Sequence, residues 1–356
     1  MKYLGIDVHV TTSVWCLVDT TGAVVERGKV ATTAAELTAL VQRRGENGEL
    51  LAGQEVGKLS YFVHDTLTAA GVKLLSFNAH QLRMISSSRK KNDRRDSYWI
   101  ARALQSGMMP HPVYIPTGEV RRLRSLLSQR QALLVERRRW LARACSYLQA
   151  AGYKTRGVRT VPRLIASAIS QPDGLDEHLA QSLELCARME NTAALELHRV
   201  EQRLWQVSQQ SDAIQRLKTI PAVGDLVAAM LYAWVGDVTR FPNASQLASY
   251  AGLVPSSWQS ADSCHTGRIT KEGTPQLRSI LVQAGHILLF RCQSAEAAPL
   301  KSIAVRVHTT RARRKIAVVA AARHILRLAY YILRDGSRYD PELLHSATKE
   351  VQQPAA

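Results

Sequence analysis

The stretch EVRRLRSLLSQRQALLVERRRWLARACSYLQAAG, starting at Glu119, constrains the fold more than any other part of the chain. Leu123, Leu126, Leu127, Leu133, Leu134, Trp140, Leu141, Tyr147 and Leu148 recur on one side at helical spacing, so a single long amphipathic helix is expected. A second is expected from about Asp176 to Gln215, with Leu183, Met189, Leu197, Leu204 and Val207 on one side. Two long helices of near-heptad spacing predict an antiparallel coiled-coil hairpin, and spacing alone leaves it open whether that hairpin is a spacer or a dimerisation arm. The segment between them, YKTRGVRTVPRLIASAISQPDG, carries helix breakers and reads as a connection.

Before the long helix the pattern is different. KYLGIDVH, SVWCLVDT and AVVERGKVAT read as a three-strand meander. AAELTALVQRR has helical spacing with Thr33 as its N-cap, and LLAGQEV, YFVHDTLTAAG and VKLLSFN then read as strand, helix and strand. Antiparallel strands followed by alternating helices and strands predict a mixed sheet in an α/β layer. From Leu217 to about Arg338 the chain is helical again, punctuated by IPAVG, RFPNAS, GLVPSSWQSADS and KEGTP, and the tail beyond has little periodicity. The expected divisions are 1–112 (α/β), 113–215 (helical linker), 216–338 (mainly helical) and 339–356 (tail).

Forty-seven basic residues against 29 acidic ones give a formal charge of +18, which biases the choice of partner toward polyanions, nucleic acid first and a membrane surface second. The five cysteines are scattered singly, with no metal-binding spacing or disulfide framework, and fit a reducing compartment. The start MKYLGIDVHV is strand-like rather than a leader, and no apolar run is expected to cross a membrane.

KKNDRRDS, residues 90–97, sets Asp93 and Asp96 three apart, on one face of an expected helix, among Arg89, Lys90, Lys91, Arg94 and Arg95. Asp7 and Glu55 each follow an apolar strand that would deliver a side chain to the sheet's edge. If the sheet order cooperates, four carboxylates converge from three elements, and such a cluster repels itself unless cations occupy it. Hard oxygen donors suit Mg2+, and two such ions can clamp the attacking and leaving oxygens of a phosphodiester. The plainer alternative is that Asp93 only caps the helix and the strand-end acids are turn residues.

Further on, Ser256, Ser257, Ser260 and Ser263 share a hydroxyl-rich loop bounded by Gly252-Pro255 and GRITKEG. Arg268 and Lys271 can neutralise a phosphate there, and the helix after Gly273 can present its N-terminus. A serine acts as a nucleophile only when its proton is taken or the developing charge is stabilised, and most loop serines merely form turns. A glycine turn at Val223-Gly224 either grips a phosphate through backbone N–H groups or joins two packed helices. Eleven arginines and Lys154 lie between Glu119 and Arg163, among them Arg121, Arg122, Arg137, Arg138 and Arg139, against two acids. Between Lys301 and Arg338 the balance is ten basic residues to one acid. Arg-heavy helices are commonly only solvated faces, but such one-sidedness over two separate helices favours phosphate binding, in contacts that fix orientation and carry no sequence code.

YLGIDVH, QEVG and KKNDRRDSYWIARAL, with LASYAGLVPSSWQSADSCHTGRITKEGTPQLRSIL behind them, resemble the signatures of the DEDD-type insertion-sequence transposases over nearly the whole chain. The resemblance implies a RuvC-like (RNase H-type) α/β N-terminal domain, a long α-helical coiled-coil linker and a mainly α-helical C-terminal serine transposase domain. It implies that Asp7, Glu55, Asp93 and Asp96 bind Mg2+ and that Ser260 is the nucleophile of a covalent phosphoserine intermediate. Lys90, Lys91, Arg94, Arg95, Arg121, Arg122, Arg137, Arg138, Arg139, Gly224, Arg268 and Lys271 are the expected nucleic-acid contacts. The implied partners are DNA at the element's ends and target, a non-coding guide RNA encoded by the element, and further copies of the chain in a dimer or tetramer. The implied location is the bacterial cytoplasm, at the nucleoid. The chain departs from the family pattern at Val56, where the signature is closer to E-A-T-G, and at Ala261, where the family has glycine. Two rivals remain: a metal-only nuclease resembling junction resolvases, and a nucleic-acid-binding scaffold without activity.

Overall fold

The computed structural model describes residues 1–45, 49–79, 81, 93–155, 157–170, 176–260, 263–311 and 313–341. The chain divides into two compact units, Met1–Pro116 and Thr117–Ala356.

The first unit is a five-stranded mixed sheet ordered β3-β2-β1-β4-β5, formed by β1 (Lys2–Asp7), β2 (Thr12–Val18), β3 (Val24–Ala31), β4 (Leu50–Glu55) and β5 (Lys73–Phe77). The first three strands are the expected antiparallel meander. β4 and β5 join parallel to β1 through the crossovers α1 (Ala34–Gly45) and α2 (Ser60–Ala69). The backbone N–H of Glu36 donates to Thr33 Oγ1 at 3.3 Å, so Thr33 caps α1 as its residue type suggests. Side chains alternate across a strand, and β1 uses both faces. Leu4 and Ile6 bury against α1 and α2 with Leu37, Val41, Val63 and Leu67. The other face is covered by α3 (Asp93–Ser106), through Ile100, Ala101 and Leu104.

Among the described residues the second unit is helical but for one hairpin. α4 (Gly118–Ala150) and α6 (Glu177–Gln210) pack antiparallel: Leu123 and Leu127 meet Val200 and Leu204 at one end, and Ala144 and Leu148 meet Leu183 and Cys186 at the other. The buried positions of α6 step by three and four, from Ala193 through Leu197, Val200 and Leu204, as helix-pair packing requires. The connection read from its breakers instead forms α5 (Val161–Ile169), which seats Val161, Ile165 and Ala168 on the far end of the pair. Pro162 lies in the first turn of α5, where a missing N–H costs nothing, so it starts this helix rather than preventing one. The second long helix ends earlier than its periodicity suggests, because Ser211 is extended, and the chain resumes as α7 (Asp212–Leu217).

Behind the pair, α8 (Asp225–Val235), α9 (Ala244–Tyr250), α10 (Pro275–Phe290), α11 (Ala298–Arg311) and α12 (Arg314–Asp335) share one core with α7 and the near end of α4 and α6. By length and composition α12 could cross a membrane, although Arg323 and Arg327 interrupt its apolar run as expected; here its Ala317, Ala321, Ile325 and Ala329 are buried among the other helices. Gly285 of α10 lets the two backbones close up: a Cβ there would stand 2.6 Å from the Val318 carbonyl oxygen.

Candidate active site

β1 and β4 are parallel neighbours whose register pairs Gly5 with Gly53 and Ile6 with Gln54. The next residues along, Asp7 and Glu55, therefore end the two strands side by side. Residues two apart share a face, so Asp7 and Glu55 look to the same side as Gly5 and Gly53, the side covered by α3. That helix lies directly on the glycines. A Cβ at Gly5 would stand 2.0 Å from the Ser97 carbonyl oxygen, and one at Gly53 would stand 2.8 Å from Leu104 Cδ1. Because Ser97 near the helix start lies over Gly5, and Leu104 further along packs with Tyr3 and Leu51, α3 runs against the direction of β1. Its first turn, with Asp93 and Asp96, is thus carried to the end where Asp7 and Glu55 stand. Three of the expected acids, Asp7, Glu55 and Asp96, are half-buried on this rim.

The rim is braced from below. Gln54 is fully buried and donates from Nε2 to the Ser60 carbonyl at 3.2 Å and to Ser76 Oγ at 3.0 Å, which pins the turn after Glu55. On the other side His9 Nε2 is 3.3 Å from Asp7 Oδ2, and the His9 carbonyl accepts from Thr32 Oγ1 at 2.9 Å. Neither Gln54 nor His9 was singled out from the sequence. Among the described residues no three acidic, histidine or cysteine side chains already enclose a metal position. The donors on the rim are carboxylate oxygens, which fit a hard divalent cation. The Asp93 side chain lies outside the described residues, as do Lys90 and Lys91, while Arg94 and Arg95 are exposed on the first turn of α3.

The serine segment belongs to the second unit and is not the expected loop. Pro255–Ser260 and Ser263–Ile269 form an antiparallel hairpin, β6 and β7, with Ser257 opposite Thr266 and Ser260 opposite Ser263. Ser260 is the last residue of β6, at the tip; its side chain and Ala261 lie outside the described residues. The base of the hairpin is locked by two left-handed glycines. Gly252 and Gly273 have φ of +64° and +73°, and a Cβ on the latter would stand 1.9 Å from the Tyr250 carbonyl oxygen. Lys271 adopts φ 57° without being glycine. Arg278 of α10 donates to the carbonyls of Ala251 at 3.3 Å and Glu272 at 3.0 Å, tying the strands' approaches together. Arg268 and Lys271 are exposed beside this base.

The other expected contacts divide by what they touch. Arg137 pairs with Glu190 at 2.5 Å across the helix pair, and Arg139 pairs with Glu136 on its own helix. Arg122 and Arg138 are exposed, and Arg121 is half-buried. Arg124 of the same stretch is spent on structure: it donates to the Ala233 carbonyl at 2.7 Å, capping the last turn of α8 together with Arg240. Gly224 opens α8 and faces empty space, but Asp225 follows it and takes Lys218 Nζ at 2.7 Å, so the helix start already carries an anion.

Residues 214–300 match a model described as the transposase IS116/IS110/IS902 family, and residues 4–152 match a transposase model of the IS110 DEDD kind. The transposase for insertion sequence element IS1111A of Coxiella burnetii is 31% identical over 209 residues, 56% of this chain and 55% of that one. The transposase for insertion sequence element IS1328 of Yersinia enterocolitica is 25% identical over 268 residues, 72% of this chain and 78% of that one. A pilin gene-inverting protein of Moraxella lacunata is 30% identical over 128 residues, 36% of this chain and 38% of that one. The chain thus spans little more than half the length of the Coxiella relative.

Proposed function

Since the chain belongs to the IS110 transposase family, whose two models cover residues 4–152 and 214–300, we propose that it cuts and rejoins DNA strands of an insertion sequence and its target. The observation that carries this is the strand register that sets Asp7 beside Glu55, under a helix whose first turn holds Asp93 and Asp96. The order β3-β2-β1-β4-β5, with β1 central and the acids at the ends of β1 and β4, supports reading the first unit as RuvC-like. Asp7, Glu55, Asp93 and Asp96 would hold Mg2+, which when bound neutralises the charge on the scissile phosphate. Arg94 and Arg95, with Lys90 and Lys91, hold the flanking backbone.

Ser260 is the nucleophile in this reading. Its Oγ gives up a proton and bonds to phosphorus, while the bond from phosphorus to the departing deoxyribose oxygen breaks and that oxygen takes up a proton. The free hydroxyl of another strand then attacks the same phosphorus and releases Ser260. One phosphate ester replaces another at each step, so no external energy source is needed. The tip position of Ser260 on a hairpin whose base is rigid suits a group that must reach into DNA. Target choice belongs to an element-encoded RNA, and the antiparallel pair of α4 and α6 is an arm by which copies assemble into a dimer or tetramer. The protein works in the cytoplasm, on the nucleoid.

The test is a denaturing gel with end-labelled DNA. The natural protein forms an adduct that survives denaturation, and Ser260→Ala forms none while Asp7→Asn loses cleavage. An adduct that persists in Ser260→Ala removes Ser260 as the nucleophile, and hydrolysed ends without any adduct in the natural protein favour the metal-only nuclease. Loss of target choice after RNase treatment is expected; unchanged choice removes the guide RNA from the reading.

A further inference from the structure

α10 runs out from the hairpin's base, and its far end carries a surface that the proposed reaction does not use. Phe290, its last residue, is 42% exposed, and Ile287 one turn before it is 41% exposed. The Arg314 guanidinium, at the start of α12, sits 4.2 Å over the Phe290 ring. Arg314 Nη2 stands 3.0 Å from His286 Nε2, and a guanidinium only donates, so His286 accepts there and keeps its proton on Nδ1. The His286 ring in turn leans on Phe290, with centroids 5.0 Å apart. Phe290 is therefore braced from two sides while the residue stays exposed. Exposed cations flank it on both helices: Arg291 follows it, and Arg313 and Lys315 bracket Arg314.

We infer that Phe290, Ile287 and Arg314 form a stacking platform for an unpaired base of single-stranded DNA, with the adjoining phosphates held by Arg291, Arg313 and Lys315. An aromatic ring with an arginine on it offers a π surface to any base, and the surrounding cations follow the backbone without reading sequence. A base inside a duplex has no free face to give it. A second copy of the chain is a poorer occupant, because a two-fold contact would set these cations against themselves. The proposal rests on the DNA exchange described above, in which a cut strand leaves its duplex. The platform lies about 24 Å from Pro275 along α10, the length of a 16-residue helix.

The experiment uses the full chain in EDTA, with Ser260→Ala as background, so that nothing measured depends on cutting. Fluorescence anisotropy follows a labelled 20-mer of oligo(dT), the corresponding oligo(U), and a duplex of equal length. Phe290→Ala weakens oligo(dT) binding about tenfold, Phe290→Trp restores it, and duplex affinity changes less than about twofold. Unchanged oligo(dT) affinity in Phe290→Ala, or equal loss for duplex, overturns the platform. So does tighter binding of oligo(U) than oligo(dT) through Phe290, which would assign the surface to RNA. A change in sedimentation coefficient in Phe290→Ala would assign it to self-association and also overturns it. Failure of the Ser260 adduct leaves all of these readouts standing, so the two readings fail separately.

Discussion

Replacing Gly5 with alanine tests how the acids are brought together. The added Cβ would meet Ser97 O at 2.0 Å and Ala101 N at 2.5 Å, both backbone atoms of α3. Neither can rotate away, so the helix must lift by more than about 1 Å to restore an ordinary contact. Its far end is tied down: Gln105 Nε2 donates to the Thr20 carbonyl at 2.8 Å, and Arg102 Nη1 to the Thr21 carbonyl at 3.4 Å. The end that rises is the one carrying Asp93 and Asp96. A displacement of about 1 Å in a catalytic group costs about a hundredfold in rate, and overpacking costs about 1–3 kcal/mol of stability. Gly53→Ala is the control on the neighbouring strand. There the Cβ would meet Leu104 Cδ1 at 2.8 Å and Ile100 Cγ2 at 3.0 Å, side-chain atoms rather than helix backbone, so Leu104 can give way with less movement of α3. The assay is single-turnover DNA cleavage at saturating protein, with DNA affinity and thermal unfolding measured in parallel. Gly5→Ala should lose about a hundredfold in cleavage with affinity nearly unchanged, and Gly53→Ala less than about fivefold. Equal losses in the two variants, or a Gly5→Ala protein that cleaves within about threefold of the natural one, would refute the reasoning.

Gly273→Ala forces a left-handed residue to carry a Cβ against the Tyr250 carbonyl, so the hairpin base should shift; adduct yield falls about tenfold or more on a denaturing gel, while filter-bound DNA is retained. Burial, with Arg327 beside it, holds His324 of α12 down at about 4 from an ordinary 6.5. Its folded form binds fewer protons than its unfolded form between those values, so stability falls as pH drops below about 6.5 and the loss is complete near 4. By about pH 5 that is about 2 kcal/mol, measured by urea unfolding, and His324→Leu should remove this dependence. Arg137→Ser leaves Glu190 without its partner and should cost on the order of 1 kcal/mol in thermal unfolding. Arg138→Ser, exposed on the same helix, should leave stability alone and lower the salt slope of DNA affinity by about one.

What sequence pattern reached, and what it missed, follows from how each element is held. The α/β meander and both long helices were legible because their apolar residues repeat with the period of the element that buries them. The serine hairpin was not: Ser-Ser-Trp-Gln-Ser and Ser-Cys-His-Thr-Gly have too little apolar alternation, and their pairing is imposed from outside by Gly252, Gly273 and Arg278. α5 was hidden by Pro162, which reads as a breaker until its place in the first turn is known. The arginines between 119 and 163 look uniform in sequence. Only tertiary partners separate Arg124, which caps α8, and Arg137, which pairs across the hairpin, from the exposed Arg122 and Arg138.

The acids show what kind of signal decides such a site. Asp7 and Glu55 each end an apolar strand, a property shared by many turn residues. The more telling feature is two positions further back. The strands read Gly5-Ile6-Asp7 and Gly53-Gln54-Glu55, each with a glycine two residues before its acid. In a strand those two positions share a face, so the glycine marks where a helix backbone lies and the acid marks the same side just beyond it. One such pair is commonplace. Two pairs on parallel neighbours, in register as Gly5 and Gly53 are, define a floor and a rim. The helix on that floor runs against β1, so the first turn that carries Asp93 and Asp96 in its backbone lies toward the rim. Sequence spacing could suggest that Asp93 and Asp96 belong together; the paired glycines give a physical reason to propose that they act with Asp7 and Glu55.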